Sequence, residues 1–154
     1  MSPKKHDWAT RQSYLNAHER VLRTYEKWTD HPHSYKHTQV TDEYLLLQCH
    51  GIIFTSYQGN KVRVDVTKDV EIDTSNPKRL LARTFGYSYN AVEQRTGNRI
   101  RYDSPDSVFT PATPYHHRFH HKHVEQNGKE TITRVPDDEW PHVDEFFREV
   151  LSAF

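Results

Sequence analysis

Residues 61–73, KVRVDVTKDVEID, decide the fold class of this 154-residue chain. Val62, Val64 and Val66 fall on one side of an extended backbone and Lys61, Arg63 and Asp65 on the other. That period of two is the mark of a strand with one face in a core and one towards water. Just upstream, EYLLLQCHGIIFTSY (43–57) is rich in β-branched and aromatic residues, and QGN (58–60) supplies a turn between the two segments. Downstream, TSNPK (74–78) breaks the pattern. LLARTFGYSYNAVEQ (80–94) and NRIRYDS (98–104) then read as a hairpin through RTGN (95–98). A Pro-rich loop, SPDSVFTPATP (104–114), precedes a last hairpin, HHKHVEQ (120–126) and KETITRV (129–135), folded at Asn127-Gly128.

The two ends of the chain change period. In 8–28, Leu15, His18, Leu22 and Tyr25 share one side, flanked by Tyr14, Val21 and Trp28, which predicts a helix. Pro32 cannot continue it, and 29–42 reads as a polar loop. Near the C-terminus, Val143, Phe146, Phe147, Val150, Leu151 and Phe154 recur at helical spacing, with Asp137, Asp138 and Glu139 ahead of them where acids suit a helix dipole. The expected fold is α+β: an antiparallel meander of five or six strands, with an N-terminal and a C-terminal helix packed on one face. One domain spans 1–154, as a helix and loop over 1–41 and a sheet plus helix over 42–154. Trp8, Trp28, Phe146 and Phe147 are expected in the core, and His18 is expected to be packed.

Composition narrows the function classes. A lone cysteine, Cys49, excludes an intramolecular disulfide framework and a multi-thiolate zinc site. The N-terminal MSPKKHDWAT lacks the apolar run of a secretory signal, and YLLL and GIIF are far too short to span a bilayer, so a soluble cytoplasmic protein is expected. Formal net charge is zero, but the charge is segregated. Residues 78–123 carry eight Lys/Arg against three acids, whereas 124–154 carry three against eight. The five scattered glycines form no phosphate-binding loop, which counts against a nucleotide-using transferase.

The basic segment contains YHHRFHHKHV (115–124), which holds five of the twelve histidines. On an extended backbone Phe119, His121 and His123 share one face, and His120, Lys122 and Val124 the other. Several readings stay open. In one, paired imidazoles cleave RNA by general acid–base chemistry, with Arg101, Arg118 and Lys122 on phosphate and Tyr102 or Tyr115 against a base. Asp103 would orient a histidine. This reading needs no cofactor. In another, the histidines with Asp103 hold a divalent metal such as zinc or manganese, and the protein is a metal-dependent nuclease. In a third, the basic face grips nucleic acid or a partner without catalysis; in the blandest, the segment is a solvated loop. His6, His31, His33 and His37 read as loop surface, and His50 as a strand residue.

Tyr87–Asn90, Arg101–Asp103 and His120–Val124, in this order and ahead of a final amphipathic helix, resemble the TumE-like toxins of prokaryotic toxin–antitoxin pairs. The resemblance extends by order of elements over 41–154. It implies an mRNA interferase-like ribonuclease neutralised by a cognate helix-turn-helix antitoxin, with RNA as substrate, no membrane partner and a homodimer left open. It maps Arg101, Tyr102 and Asp103 to the family's basic-aromatic-acidic triplet, and His120, His121 and His123 to its terminal histidine cluster. His116 and His117 stand for an earlier histidine pair. Where the family commonly has Asn after the acid, this chain has Ser104, and DSVFTPATP moves the first histidine pair towards the second. The expected catalytic residues are His121, His123, His120 and Asp103; the expected substrate contacts are Arg101, Tyr102, Arg118, Lys122 and His117.

Overall fold

A computed structural model describes residues 4–108 and 110–154; Met1–Pro3 of the N-terminal segment and Phe109 of the Pro-rich connection lie outside the described residues. Its centre is the segment that sets the fold. Strand β4 (Lys61–Asp73) buries Val62, Val64, Val66, Val70 and Ile72, and is flanked by β3 (Tyr44–Thr55) and β5 (Leu81–Glu93). Beyond β5 the sheet continues with β6 (Arg99–Asp103), β7 (His121–Gln126) and β8 (Lys129–Arg134). All of these neighbours pair antiparallel. The β7–β8 turn places Asn127 and Gly128 both at positive φ, the conformation a two-residue hairpin of right-handed twist requires.

The sheet has eight strands rather than five or six, because two elements lie in the N-terminal region read as helix and loop. Lys36–Thr41, inside the expected polar loop, is an edge strand, β2, paired to β3. It is almost wholly exposed, so no apolar alternation marks it. Its side chains are polar or solvated, and its backbone groups find partners in β3. A two-residue strand, β1 (Ala9–Thr10), pairs with Leu81 and Ala82 on the edge of β5 that lies beyond its pairing with β6. This pairing delays the first helix: α1 spans Arg11–Tyr25, with a single 3-10 turn continuing to Trp28. The Thr10 side chain caps α1 by accepting from Ser13 N–H. Trp8, expected in the core, instead lies half-buried under the Arg83 guanidinium, 4.4 Å from its ring centre.

Helix α2 (Val143–Ala153) follows the expected pattern. Val143, Phe146, Phe147, Val150 and Leu151 are buried, each worth roughly 1.5–3 kcal/mol of apolar transfer. Phe147 packs on Phe54 of β3 and Tyr25 of α1, and Phe146 on Tyr89 of β5. Tyr14 of α1 hydrogen-bonds Thr84 of β5 at 2.5 Å. Both helices thus meet the face carrying the β4 valines, in one core. Among the described residues no helix is long and apolar enough to cross a membrane.

Candidate functional site at the histidine cluster

Register turns scattered residues into a site. Asp103 pairs with His121 and Arg101 with His123 across β6 and β7, so all four side chains project from one face. On that face one cross-strand row runs Thr67, Ser88, Asp103, His121, Arg134 and the next Asp65, Asn90, Arg101, His123, Ile132. It is the face opposite the helices. It is polar on β4, β5 and β6, and the connection between β6 and β7 folds back over its end. Asp106 N–H donates to the His117 carbonyl at 2.7 Å, closing that connection, and Tyr115–Arg118 form a 3-10 turn against the strand histidines.

The side chains converge. Arg101 holds Asp103 through two hydrogen bonds, Nε to Oδ2 at 2.7 Å and Nη2 to Oδ1 at 3.0 Å, which fixes the carboxylate. His121 Nε2 and His123 Nε2 each lie 3.9 Å from the same Oδ2. His121 is 3% exposed, and its Nδ1 faces the Phe119 carbonyl at 2.8 Å. A carbonyl only accepts, so Nδ1 carries the proton and the Nε2 of a neutral His121 is left with its lone pair. His123 sits between two carboxylates, with Glu130 3.6 Å from its Nδ1. His116 stands edge-on to His121 and His123, and His117 stacks on His121 at 5.6 Å. Desolvation, then the neighbouring His117 and His121, push the His116 imidazole below its ordinary range. Tyr87, Arg101, Asp103, His117, His121 and His123 line a cavity of about 400 Å³.

Three expected site residues lie on the other face. Tyr102 and Lys122 are opposite each other in register, and both bind Glu149 of α2, at 2.8 and 2.6 Å. They anchor the C-terminal helix instead of lining the cavity. His120 bonds the Tyr87 hydroxyl at 2.9 Å and lies parallel to Trp140; burial lowers its pKa. Arg118 ends the 3-10 turn, half-buried, and its Nε has no hydrogen-bond partner among the described residues. Arg101 touches the cavity, but its guanidinium is committed to Asp103.

Two donor sets have the spacing a metal ion needs: Asp103, His121 and His123, and His116, His117 and His121, each with ligand atoms within 4.8 Å of one another. A third, Asp30, His31 and His33, lies apart from the cavity. A cation on Asp103 Oδ2 would sit beside the Arg101 guanidinium, which favours the all-histidine set for this role.

Sequence reasoning passed over two groups. Glu130 falls in a fully exposed strand, and only the β7–β8 pairing carries it to His123. Lys68 had a signal that could have been read: it continues the even-numbered series of the β4 valines, and is 2% exposed. Comparison of the chain with protein-family models, curated proteins and solved structures found no match.

Proposed function

We propose that the protein cleaves single-stranded RNA by general acid–base catalysis at the Asp103–His121–His123 cluster. The observation that carries this reading is the pairing of Asp103 with His121 and Arg101 with His123, which gathers two imidazoles, a carboxylate and a guanidinium around one cavity. In the reaction, His121 Nε2 takes the proton of a ribose 2′-OH as that oxygen bonds to phosphorus. The bond from phosphorus to the 5′-oxygen breaks, and protonated His123 gives that oxygen its proton. The products are a 2′,3′-cyclic phosphate and a free 5′-hydroxyl. Asp103, pinned by Arg101, orients the pair, and His117 lies at the cavity wall where phosphate would enter. Because His121 is buried, the 2′-OH must reach into the cavity, which a splayed nucleotide achieves and a stacked duplex does not.

The resemblance in Tyr87–Asn90, Arg101–Asp103 and His120–Val124 supports assigning this activity to a toxin held in check by a helix-turn-helix antitoxin. Growth arrest on induced expression, relieved by H123Q, is the expected phenotype. The direct test is cleavage of a single-stranded RNA by purified protein in EDTA, with analysis of the ends. Metal-independent cleavage leaving cyclic or 3′-phosphates, reduced roughly 10²–10⁴-fold in H121Q and in H123Q while circular dichroism is unchanged, is the expected result. Cleavage that needs added zinc or manganese and leaves 5′-phosphates would transfer the assignment to a metal-dependent nuclease, the second reading, which the His116–His117–His121 set favours. Binding of RNA without cleavage in either condition would sink both.

A further inference from the structure

On the opposite face of the sheet, Lys68 presents a different chemistry. It stands between Val66 and Val70 in the buried series of β4, and among the described residues its ammonium makes no hydrogen bond and no ion pair. Its nearest described π-faces are Tyr89 and Trp140, 5.8 and 5.9 Å away. A buried cation without a counter-charge costs several kcal/mol, and proteins ordinarily supply a carboxylate to avoid it. Here what faces Lys68 is a cavity of about 520 Å³.

The walls of that cavity carry hydroxyl and basic side chains. Tyr14 and Thr84 are buried beside Lys68, His6 and His18 form the sides, and Arg20 and His142 stand at the exposed mouth. His6 was expected on the surface; instead it is half-buried, stacked on Trp140, with Nε2 2.7 Å from the Trp140 carbonyl. Burial lowers its pKa to about 4. His18 Nδ1 faces the Tyr14 carbonyl at 2.8 Å, so its Nε2 is the free nitrogen. Burial, with Lys68 adding to it, also holds His18 well below the usual imidazole range. The other charged groups on the wall are Lys5, paired with Glu145 at 2.8 Å, and Asp7, which is exposed and accepts from Trp8 N–H. His142 is the N-cap of α2, and the positive end of that helix is already met by Asp144 and by Glu145, which accepts from the His142 N–H at 3.0 Å. Among the described residues Asp7 is the one acid on the wall itself, with Glu145 next to it on Lys5 and the His142 N–H.

We infer that this cavity is a binding site for a small oxyanion, the carboxylate or phosphate head of a small molecule, with Lys68 as its buried counter-charge. The anion supplies the partner the ammonium lacks, and the His6 and His18 nitrogens become donors to it on protonation. The site is separate from the histidine cluster, on the other side of the sheet, so it stands or falls independently of the ribonuclease reading.

The test is NMR of the full chain carrying ¹³C-labelled lysine, titrated with inorganic phosphate and with acetate against sodium chloride of equal ionic strength. The expected result is a saturable shift of the Lys68 Cε resonance and a rise of its titration midpoint with at least one oxyanion. Affinity for the same anions, read by isothermal titration calorimetry in wild type and variants alike, should fall about tenfold or more in K68M, and measurably in H18Q, which leaves the floor of the cavity intact. Shifts no larger than those with chloride, or binding undiminished in a folded K68M, would overturn the inference. So would trapping of an aldehyde on Lys68 by borohydride without oxyanion saturation, which would make the amine a nucleophile.

Discussion

Replacing Lys68 with Met in phosphate-free buffer tests the electrostatics of the core most directly. Burial lowers the Lys68 amine from 10.5 to about 7, whereas in the unfolded chain it titrates at its ordinary value. Above pH 10.5 both states carry the neutral amine and the lysine costs nothing electrostatically. As pH falls towards 7 the unfolded chain takes up a proton that the folded chain refuses. Stability then drops by about 1.4 kcal/mol per pH unit, and the loss levels off below pH 7. Over that interval the penalty reaches roughly 5 kcal/mol as an upper figure, a large share of the stability of a domain this size. Methionine keeps the length of the side chain and fills the apolar surroundings without a charge. K68M should therefore be the more stable protein at pH 7 by several kcal/mol, with the advantage shrinking towards zero near pH 11. Urea unfolding of both proteins from pH 7 to 11 measures this. Ionisation of tyrosines destabilises both chains alike and cancels in the difference. Added phosphate should narrow the gap at pH 7 by stabilising only the wild type. A K68M protein that is less stable at pH 7, or a difference that does not change with pH, would refute the reasoning.

Two further outcomes separate packing from chemistry. Y102F and K122M should retain RNA cleavage, because both side chains serve Glu149 on the helix face; E149A should cost about 1–3 kcal/mol in urea unfolding at unchanged cleavage per folded molecule. G86A should lose about 1–3 kcal/mol, since a Cβ there would come within 2.7 Å of Asp69 Oδ2, and Asp69 is held by the Tyr44 hydroxyl; thermal unfolding checks it.

The candidate ribonuclease site shows how far local pattern reaches. Alternation in 119–124 put His121 and His123 on one face and Lys122 on the other without any structure. Asp103 was picked out for its chemistry, but nothing local says that it stands opposite His121, because pairing register is a relation between distant segments. The same relation decides which side of β6 meets helix α2. That is why Tyr102 and Lys122, chemically apt for RNA, face Glu149 instead.

By itself the sequence determined the elements whose side chains must alternate in order to be buried. These are the central strands around Val62, Val64 and Val66, the turn at Asn127-Gly128, and the helix carrying Phe146 and Phe147. Burial on one side only imposes a period, and a period is written locally. Tertiary structure alone decided what depends on a distant partner. The edge strand Lys36–Thr41 is held through backbone hydrogen bonds to β3 that leave little trace in its side chains. The short strand Ala9–Thr10 uses the part of β5 that extends past β6. Lys68 shows the same division in one residue. Its phase with the valines was in the sequence, but the cavity it faces, and the lack of an ion pair to it among the described residues, arise only where α1, β4, β5 and the start of α2 come together.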